Sequence, residues 1–256
     1  MQQAEARLAL AGSTLTAQRG QLDQAESAYR NLVGMAPLQL EKPDDPVARL
    51  PRTEQAAIEA AIAGHPALKS AEAELAAARA DKESSRARLA PRFNLELGAS
   101  QNNEIDGVPG TNADRTAMLR MRYNLFRGGA DAARIRESEA RIDRALATVG
   151  RVRNDLEREV RVAWEAMRAD REQLGYLKAH ADASGGVVEA YRSQFKIGQR
   201  SLLDVLNAEN EYYSARSALV NGEYAVVADS YRVFAGMGRL LETLNVALPT
   251  EARLAK

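Results

Sequence analysis

From Ala130 to about Phe195 the sequence carries one helical pattern that almost nothing interrupts. Ile142, Leu146, Val149, Leu156, Val160, Ala163, Met167, Leu174 and Leu177 follow mostly three- and four-residue steps, the spacing that lines one face of an α-helix. At ~1.5 Å per residue such a helix is on the order of 100 Å long. No ordinary globular domain uses a helix of that length, and patterns much beyond about 25 residues point to coiled coils or related arrays. The one weak spot is Ser184-Gly185-Gly186, where a bend or frayed turn is expected.

A second helical pattern follows a short break. Leu206, Tyr213, Val220, Val227, Phe234 and Leu241 are spaced by sevens, as are Asn210, Ser217, Tyr224, Tyr231 and Gly238 four residues behind. Together they predict a heptad seam of a left-handed coiled coil. In the break, Gly198 supplies the residue best suited to stop a helix and turn it, and Ser201 is a plausible N-cap for the next helix. Residues 196–213 therefore read as the tip of a helical hairpin. Asp204 and Asn207 lie three residues apart, so they share a face just beyond the bend. Ala, Arg, Glu and Leu dominate the composition and aromatics are only 5%, as in long-helix proteins.

Upstream, residues 1–33 also read as helix, with Leu8, Leu15, Leu22, Tyr29 and Val33 at heptad-like spacing and Gly34 and Pro37 as a stop. Residues 35–53 hold Pro37, Pro43, Pro46, Pro51 and the acidic Asp44-Asp45, which predicts an irregular connection. Thr53 caps a short helix over 54–63. Gly64-His65-Pro66 interrupts it, and Pro66 opens another helix running to about Leu89. Ala90-Pro91 ends that one.

The texture then changes to period two. Phe93, Leu95, Leu97 and Ala99 alternate with Asn94, Glu96, Gly98 and Ser100. After turn-formers over 101–114, Ala117, Leu119, Met121, Tyr123 and Leu125 alternate with Met118, Arg120, Arg122 and Asn124. This predicts two strands of roughly ten residues, each with one apolar and one wet face, paired as a hairpin closed by Arg127-Gly128-Gly129. Such a pair has two open edges and cannot stand alone. Its apolar face either packs on a helix in water or meets lipid. Transmembrane strands need ~9–11 residues with this alternation, and Phe93, Tyr123 and Phe126 sit where an aromatic girdle would lie.

Composition excludes several functions. Lys plus Arg and Asp plus Glu balance at 35 each, so no nucleic-acid partner is indicated. Without cysteine there are no disulfides or thiol chemistry. His65 and His180 lack metal-ligand spacing and read as a helix-start and a surface residue; Trp164 reads as helix packing. No Gly-rich phosphate loop, nucleophile–base pair or metal triad is present, so neither an enzyme nor a cofactor is expected. No run of about 18 apolar residues occurs, and Met1-Gln-Gln-Ala-Glu-Ala-Arg7 is no signal peptide.

The order helix, strand, loop, strand, very long helix, tip, returning helix resembles the TolC-like outer-membrane factors, the channels of type I secretion and tripartite drug efflux. Three pieces carry the resemblance: Gly64-His-Pro-Ala-Leu68, Tyr123-Asn-Leu-Phe-Arg-Gly-Gly129, and Ile197-Gly-Gln-Arg-Ser-Leu-Leu-Asp-Val-Leu-Asn-Ala-Glu-Asn210. It implies a mainly α fold with a small β part: an α-barrel tunnel of long antiparallel coiled-coil helices plus one two-strand contribution to a transmembrane β-barrel. It implies a homotrimer in the outer membrane of a Gram-negative bacterium, in contact with lipid, extending into the periplasm and working with a periplasmic adaptor and an inner-membrane transporter. On this reading 1–33 is the end of a tunnel helix from a first half not seen here, 34–64 the equatorial linker and short helix, and 65–90 the pre-barrel helix. Residues 91–127 are the transmembrane hairpin, 128–197 the long tunnel helix, 198–246 the returning helix with its periplasmic tip, and 247–256 a tail. A signal peptide and a first strand pair are expected upstream of such a unit. Three copies of one hairpin would give six strands, short of the ~8 of the smallest usual barrels.

The resemblance also assigns residues. Members of that family carry two tip aspartates that form a cation-binding constriction; Asp204 takes the first position and Asn207 departs from the second, which implies a weaker cation trap. Arg200 and Phe195 match closed-state gate contacts, with Gly198 at the tip itself. Glu96, Arg120 and Arg122, on the polar strand face, would point into the barrel lumen. Read from the residues alone, Asp204 is equally a first-turn acid stabilising a helix N-terminus. Two rival readings remain at this point: a periplasmic adaptor, which also carries a long helical hairpin, and a soluble coiled-coil scaffold.

Overall fold

The computed structural model describes residues 2–103 and 111–247. The chain divides into two units, 1–44 and 45–256. The first contains α1 (Gln2–Val33) and the irregular stretch after it. α1 ends where Gly34, at φ +83°, donates its N–H to the Arg30 carbonyl at 2.9 Å. Leu8, Leu15 and Leu22 on it are exposed.

The second unit begins with a 3-10 turn, Pro46–Arg49, which Asp45 caps by accepting from the Val47 N–H. It continues through α2 (Glu54–Gly64), α3 (Pro66–Ala87), β1 (Arg92–Asn103), β2 (Thr111–Arg122), α4 (Ala130–Lys196), α5 (Leu202–Gly236) and the short α6 (Leu240–Thr243). Thr53 caps α2 through the Ala56 N–H at 3.2 Å. His65 serves two helices at once. Its N–H donates to the Ala61 carbonyl at the end of α2, and its Nδ1 accepts from Ala67 at the start of α3, with Pro66 in the first turn where no N–H is needed. Among the described residues no helix is long and apolar enough to cross a membrane.

α4 has 67 residues, about 100 Å at ~1.5 Å per residue, and α2, α3 and α5 all pack along it. α3 packs beside its first part, with Lys82 to Glu139 at 3.0 Å and the Ser85 and Ser138 hydroxyls 3.2 Å apart. In the middle Ala57, Ile58 and Ala61 of α2, Val160, Ala163 and Met167 of α4, and Val233 and Met237 form one buried core. α5 returns antiparallel along the remainder, where Ala181, Ala215 and Leu219 form a second core.

Two expectations are corrected here. Ser184-Gly185-Gly186 does not break α4, which is helical throughout. Ser184 is buried, and a Cβ on Gly185 would lie 3.2 Å from the Tyr212 ring, so the small residues admit α5 closely instead of bending the helix. The coiled-coil seam is also displaced by one residue in the tip-proximal half of α5, while farther along Val227 and Phe234 of the expected row are buried. α5 buries Val205, Leu219, Val226 and Val233, spaced by sevens and fourteens, and Ala208, Ala215, Asp229 and Gly236 three residues behind. Tyr213 and Val220, on the row expected to be the seam, are exposed. The facing row of α4 is Val160, Met167, Ala181 and Val188, with Ala163 and Ser184 in the companion row.

β1 and β2 pair antiparallel from Arg92↔Arg122 to Asn103↔Thr111. Each strand has 12 residues, more than expected, because the strands continue into 101–103 and 111–114, where turn-formers predicted a loop. Residues 104–110 and 248–256, from the loop and the tail, lie outside the described residues. The second strand also stops at Arg122, so Tyr123, Leu125 and Phe126 lie beyond the sheet. Cross-strand partners Phe93/Met121 and Leu95/Leu119 share one face with Leu97. Among the described residues of this unit no helix covers that face: Phe93, Leu95, Leu97, Leu119 and Met121 are 60–73% exposed.

Candidate functional site at the hairpin tip and the strand pair

The tip is closed by backbone geometry first. Gly198 sits at φ +78°, a left-handed conformation that costs a residue with a Cβ. Its N–H donates to the Phe195 carbonyl and the Gln199 N–H to the Gln194 carbonyl, both at 2.9 Å. This is the pair of bonds that ends a helix in a Schellman turn.

α5 then opens with a reciprocal cap. The Asp204 N–H donates to Ser201 Oγ at 3.2 Å, while the Ser201 N–H and hydroxyl donate to Asp204 Oδ2 at 3.1 and 2.8 Å. The Ser201 side chain and backbone donors hold the Asp204 carboxyl below its ordinary range, with Arg200 adding to this, so it is a carboxylate at neutral pH. Arg200 Nε donates to Gln194 Oε1 at 2.9 Å and its guanidinium lies 4.3 Å from the centre of the Tyr191 ring. Both contacts fasten the tip loop back onto α4. Phe195 is 42% exposed, and Asn207 is exposed one turn beyond Asp204. The structure thus gathers Arg200, Ser201 and Asp204 around the bend.

The other expected residues lie at the opposite end of α4. Arg120 Nη2 meets Glu96 Oε2 at 3.2 Å on the polar strand face. Arg122 on the same face stands opposite Arg92. Among the described residues no group of three His, Cys, Asp or Glu converges as metal ligands would.

One polar cluster gave no sign in the sequence. Asp229 of α5 is buried in the seam and accepts from Arg232 one turn along. Across the seam, Asp170 of α4 shares a side-chain hydrogen bond with it. Two carboxyls joined this way need a proton between them. That bond, with burial and the Asp229 charge, raises the Asp170 pKa, against the opposing effect of Arg232. A folded-state pKa above the unfolded value of 3.8 means a contribution present in acid and lost as pH rises through the folded value. Asp170→Asn supplies the shared hydrogen without the second charge. It is expected to raise stability near neutral pH by about 0.5 kcal/mol, the scale of a solvent-screened pair. Thermal unfolding across acidic to neutral pH checks this: the advantage of the variant should vanish in acid.

Residues 57–239 match the profile of the outer membrane efflux protein family. The chain belongs to the outer membrane efflux protein family. Among curated relatives of this family, outer membrane efflux protein BepC of Brucella suis biovar 1 is 30% identical over 242 residues, covering 93% of this chain and 52% of BepC. Alkaline protease secretion protein AprF of Pseudomonas aeruginosa is 28% identical, covering 64% of this chain and 34% of AprF. The chain thus spans about half, or less, of the length of these relatives. Among solved structures, the open-state MtrE outer-membrane channel of Neisseria gonorrhoeae superposes with a TM-score of 0.74 over 86% of this chain and 50% of MtrE, at 20% identity. That likeness shows the fold alone.

Proposed function

We propose that the protein contributes to an export channel in the outer membrane of a Gram-negative bacterium, passing cargo through a periplasm-spanning tunnel. The observation that carries this reading is the strand pair. It has 60–73% exposed apolar residues on one face, polar residues on the other, and no other strand on either edge among the described residues. In lipid such edges must close on further strands, and lipid is the natural cover for the apolar face. This favours a channel over an adaptor or a soluble scaffold, since neither explains an uncovered apolar sheet held at the end of a helix about 100 Å long.

The channel works as a homotrimer and conducts passively. An inner-membrane transporter and a periplasmic adaptor open it by spreading the helical tips. At each tip Asp204 presents one carboxylate toward the axis, drawing cations to the entrance, and Asn207 adds a neutral group where a second carboxylate would strengthen the field. Arg200 and Phe195 hold the closed arrangement, and opening must release or carry along the Arg200 contacts to Gln194 and Tyr191. Exposed Tyr213 and Val220 offer α5 an apolar row for neighbouring helices of the tunnel. Glu96, Arg120 and Arg122 face the lumen.

The protein in the form the cell produces, reconstituted in planar bilayers, tests this. Asp204→Asn keeps an oxygen to accept from Ser201, so the helix start survives while the charge is lost. Cation preference should fall about tenfold at low ionic strength, where focused charge acts most strongly. An unchanged preference in a conducting channel removes Asp204 from the pore. No conductance from the unaltered protein removes the channel reading.

A further inference from the structure

The polar strand face carries an imbalance that the fold does not need. At its helix-proximal end Arg92 and Arg122 are direct cross-strand partners. Like charges placed opposite one another destabilise a strand pair. The next polar rung adds Arg120 opposite Asn94. Glu96 is the only carboxylate on the first three polar rungs, and it is taken by Arg120 at 3.2 Å. Three guanidiniums against one carboxylate leave a net charge of +2 on this end of each hairpin. Neither Arg92 nor Arg122 meets a carboxylate among the described residues. Toward the loop the same face turns acidic, with Asp114 opposite Ser100.

We propose that Arg92 and Arg122 form an anion-binding belt where the strand pair joins the helices, taking solutes that carry carboxylate or phosphate groups. The proposal rests on the channel reading above, because it needs the polar face to line a passage. In that setting the belt stands at the junction every solute crosses between tunnel and barrel. Guanidinium is the fitting group for the task. Its planar fork matches carboxylate and phosphate with two parallel bonds, and it stays charged at any working pH. Two forks side by side with no carboxylate partner among the described residues convert the repulsion between them into affinity for an anion that bridges both. The belt lies at the far end of α4 from Asp204, many times the Debye length of about 8 Å away, so the two charged zones act independently.

Bilayer recordings of the protein as the cell produces it, with inorganic phosphate as the probe, test the belt. The Arg92→Gln/Arg122→Gln pair should lower the anion-to-cation permeability ratio about tenfold, the low end for focused surface charge, and abolish block by phosphate. Arg92→Lys/Arg122→Lys should keep the permeability ratio. A glutamine pair that conducts with unchanged selectivity and unchanged phosphate block overturns the belt while leaving the channel reading intact. Equal losses in the lysine and glutamine pairs overturn it too, since charge would then not be the cause. The same recordings in zwitterionic lipid and in lipid with anionic headgroups separate the two sources of phosphate: an effect confined to anionic lipid overturns the lumenal placement. Absence of conductance from the unaltered protein removes the channel and the belt together.

Discussion

Gly238→Val is expected to cost about 2–5 kcal/mol of stability, from ~1–2 for the left-handed backbone and ~1–3 for overpacking. Gly238 ends α5 at φ +69° in the same Schellman geometry as the tip, with its N–H on Ala235 and the Arg239 N–H on Phe234. A Cβ there would lie 2.9 Å from His65 Cδ2, 2.9 Å from Pro66 Cδ and 3.1 Å from His65 Cα. Two of these atoms belong to a proline ring and a backbone, which cannot swing aside. Moving His65 would also loosen the ends of both helices it caps. Gly34→Val is the matched control. Gly34 has φ +83° and nothing within 4 Å of a Cβ, so only the backbone part of the cost should appear. Thermal unfolding followed by circular dichroism in detergent compares the two, and equal losses would show that the His65–Pro66 contact contributes nothing.

Met237→Ala should cost about 3.5–5 kcal/mol, in the upper half of the range for large-to-alanine changes in cores. Met237 is 1% exposed and packs among Ala57, Ile58, Ala61, Val160 and Val233. Two of those neighbours are alanines on α2, too short to reach into the space a methionine leaves. The site therefore collapses poorly, which is where the cavity part of the cost is largest. Met237→Leu fills most of the volume and should stay below about 1.5 kcal/mol. Hydrogen exchange provides a second readout: α2 amides should lose protection in the alanine variant before those of the α4–α5 hairpin near the tip. Uniform loss along all three helices would contradict the local role.

The elements with strong periodicity were legible in the sequence. The long helix, the alternating strands and the glycine-centred tip each follow from spacing that only one local structure satisfies. What escaped depended on small residues or on register. The expected seam holds at Val227 and Phe234 but not at Tyr213 and Val220, where α5 instead buries Ala208 and Ala215, whose advantage is how little space they take. Gly185 was expected at a bend for the same reason, although it accommodates Tyr212. The strands outran the expected loop because cross-strand hydrogen bonding tolerates polar residues such as Gln101 and Asp114 once pairing has begun. The two-carboxyl contact of Asp170 with Asp229 and the facing arginines of the strand pair join residues that are local only in three dimensions. Of the tip, the position of Ser201 as a cap was readable; its reciprocal bond with Asp204 was not, since an aspartate three residues on serves a cap or a pore equally well.

Five residues, 197–201, separate α4 from α5. Joining the two helices at that end closes a very short loop, so the first contacts cost little chain entropy and each later one adds to a helix pair already aligned. The strand pair has no such advantage, because its edges gain partners only when other strands arrive. The hairpin can therefore zip up from its tip in water while the strands still wait for neighbours. If the strands close into the proposed barrel, the helical shaft forms first and barrel closure comes last.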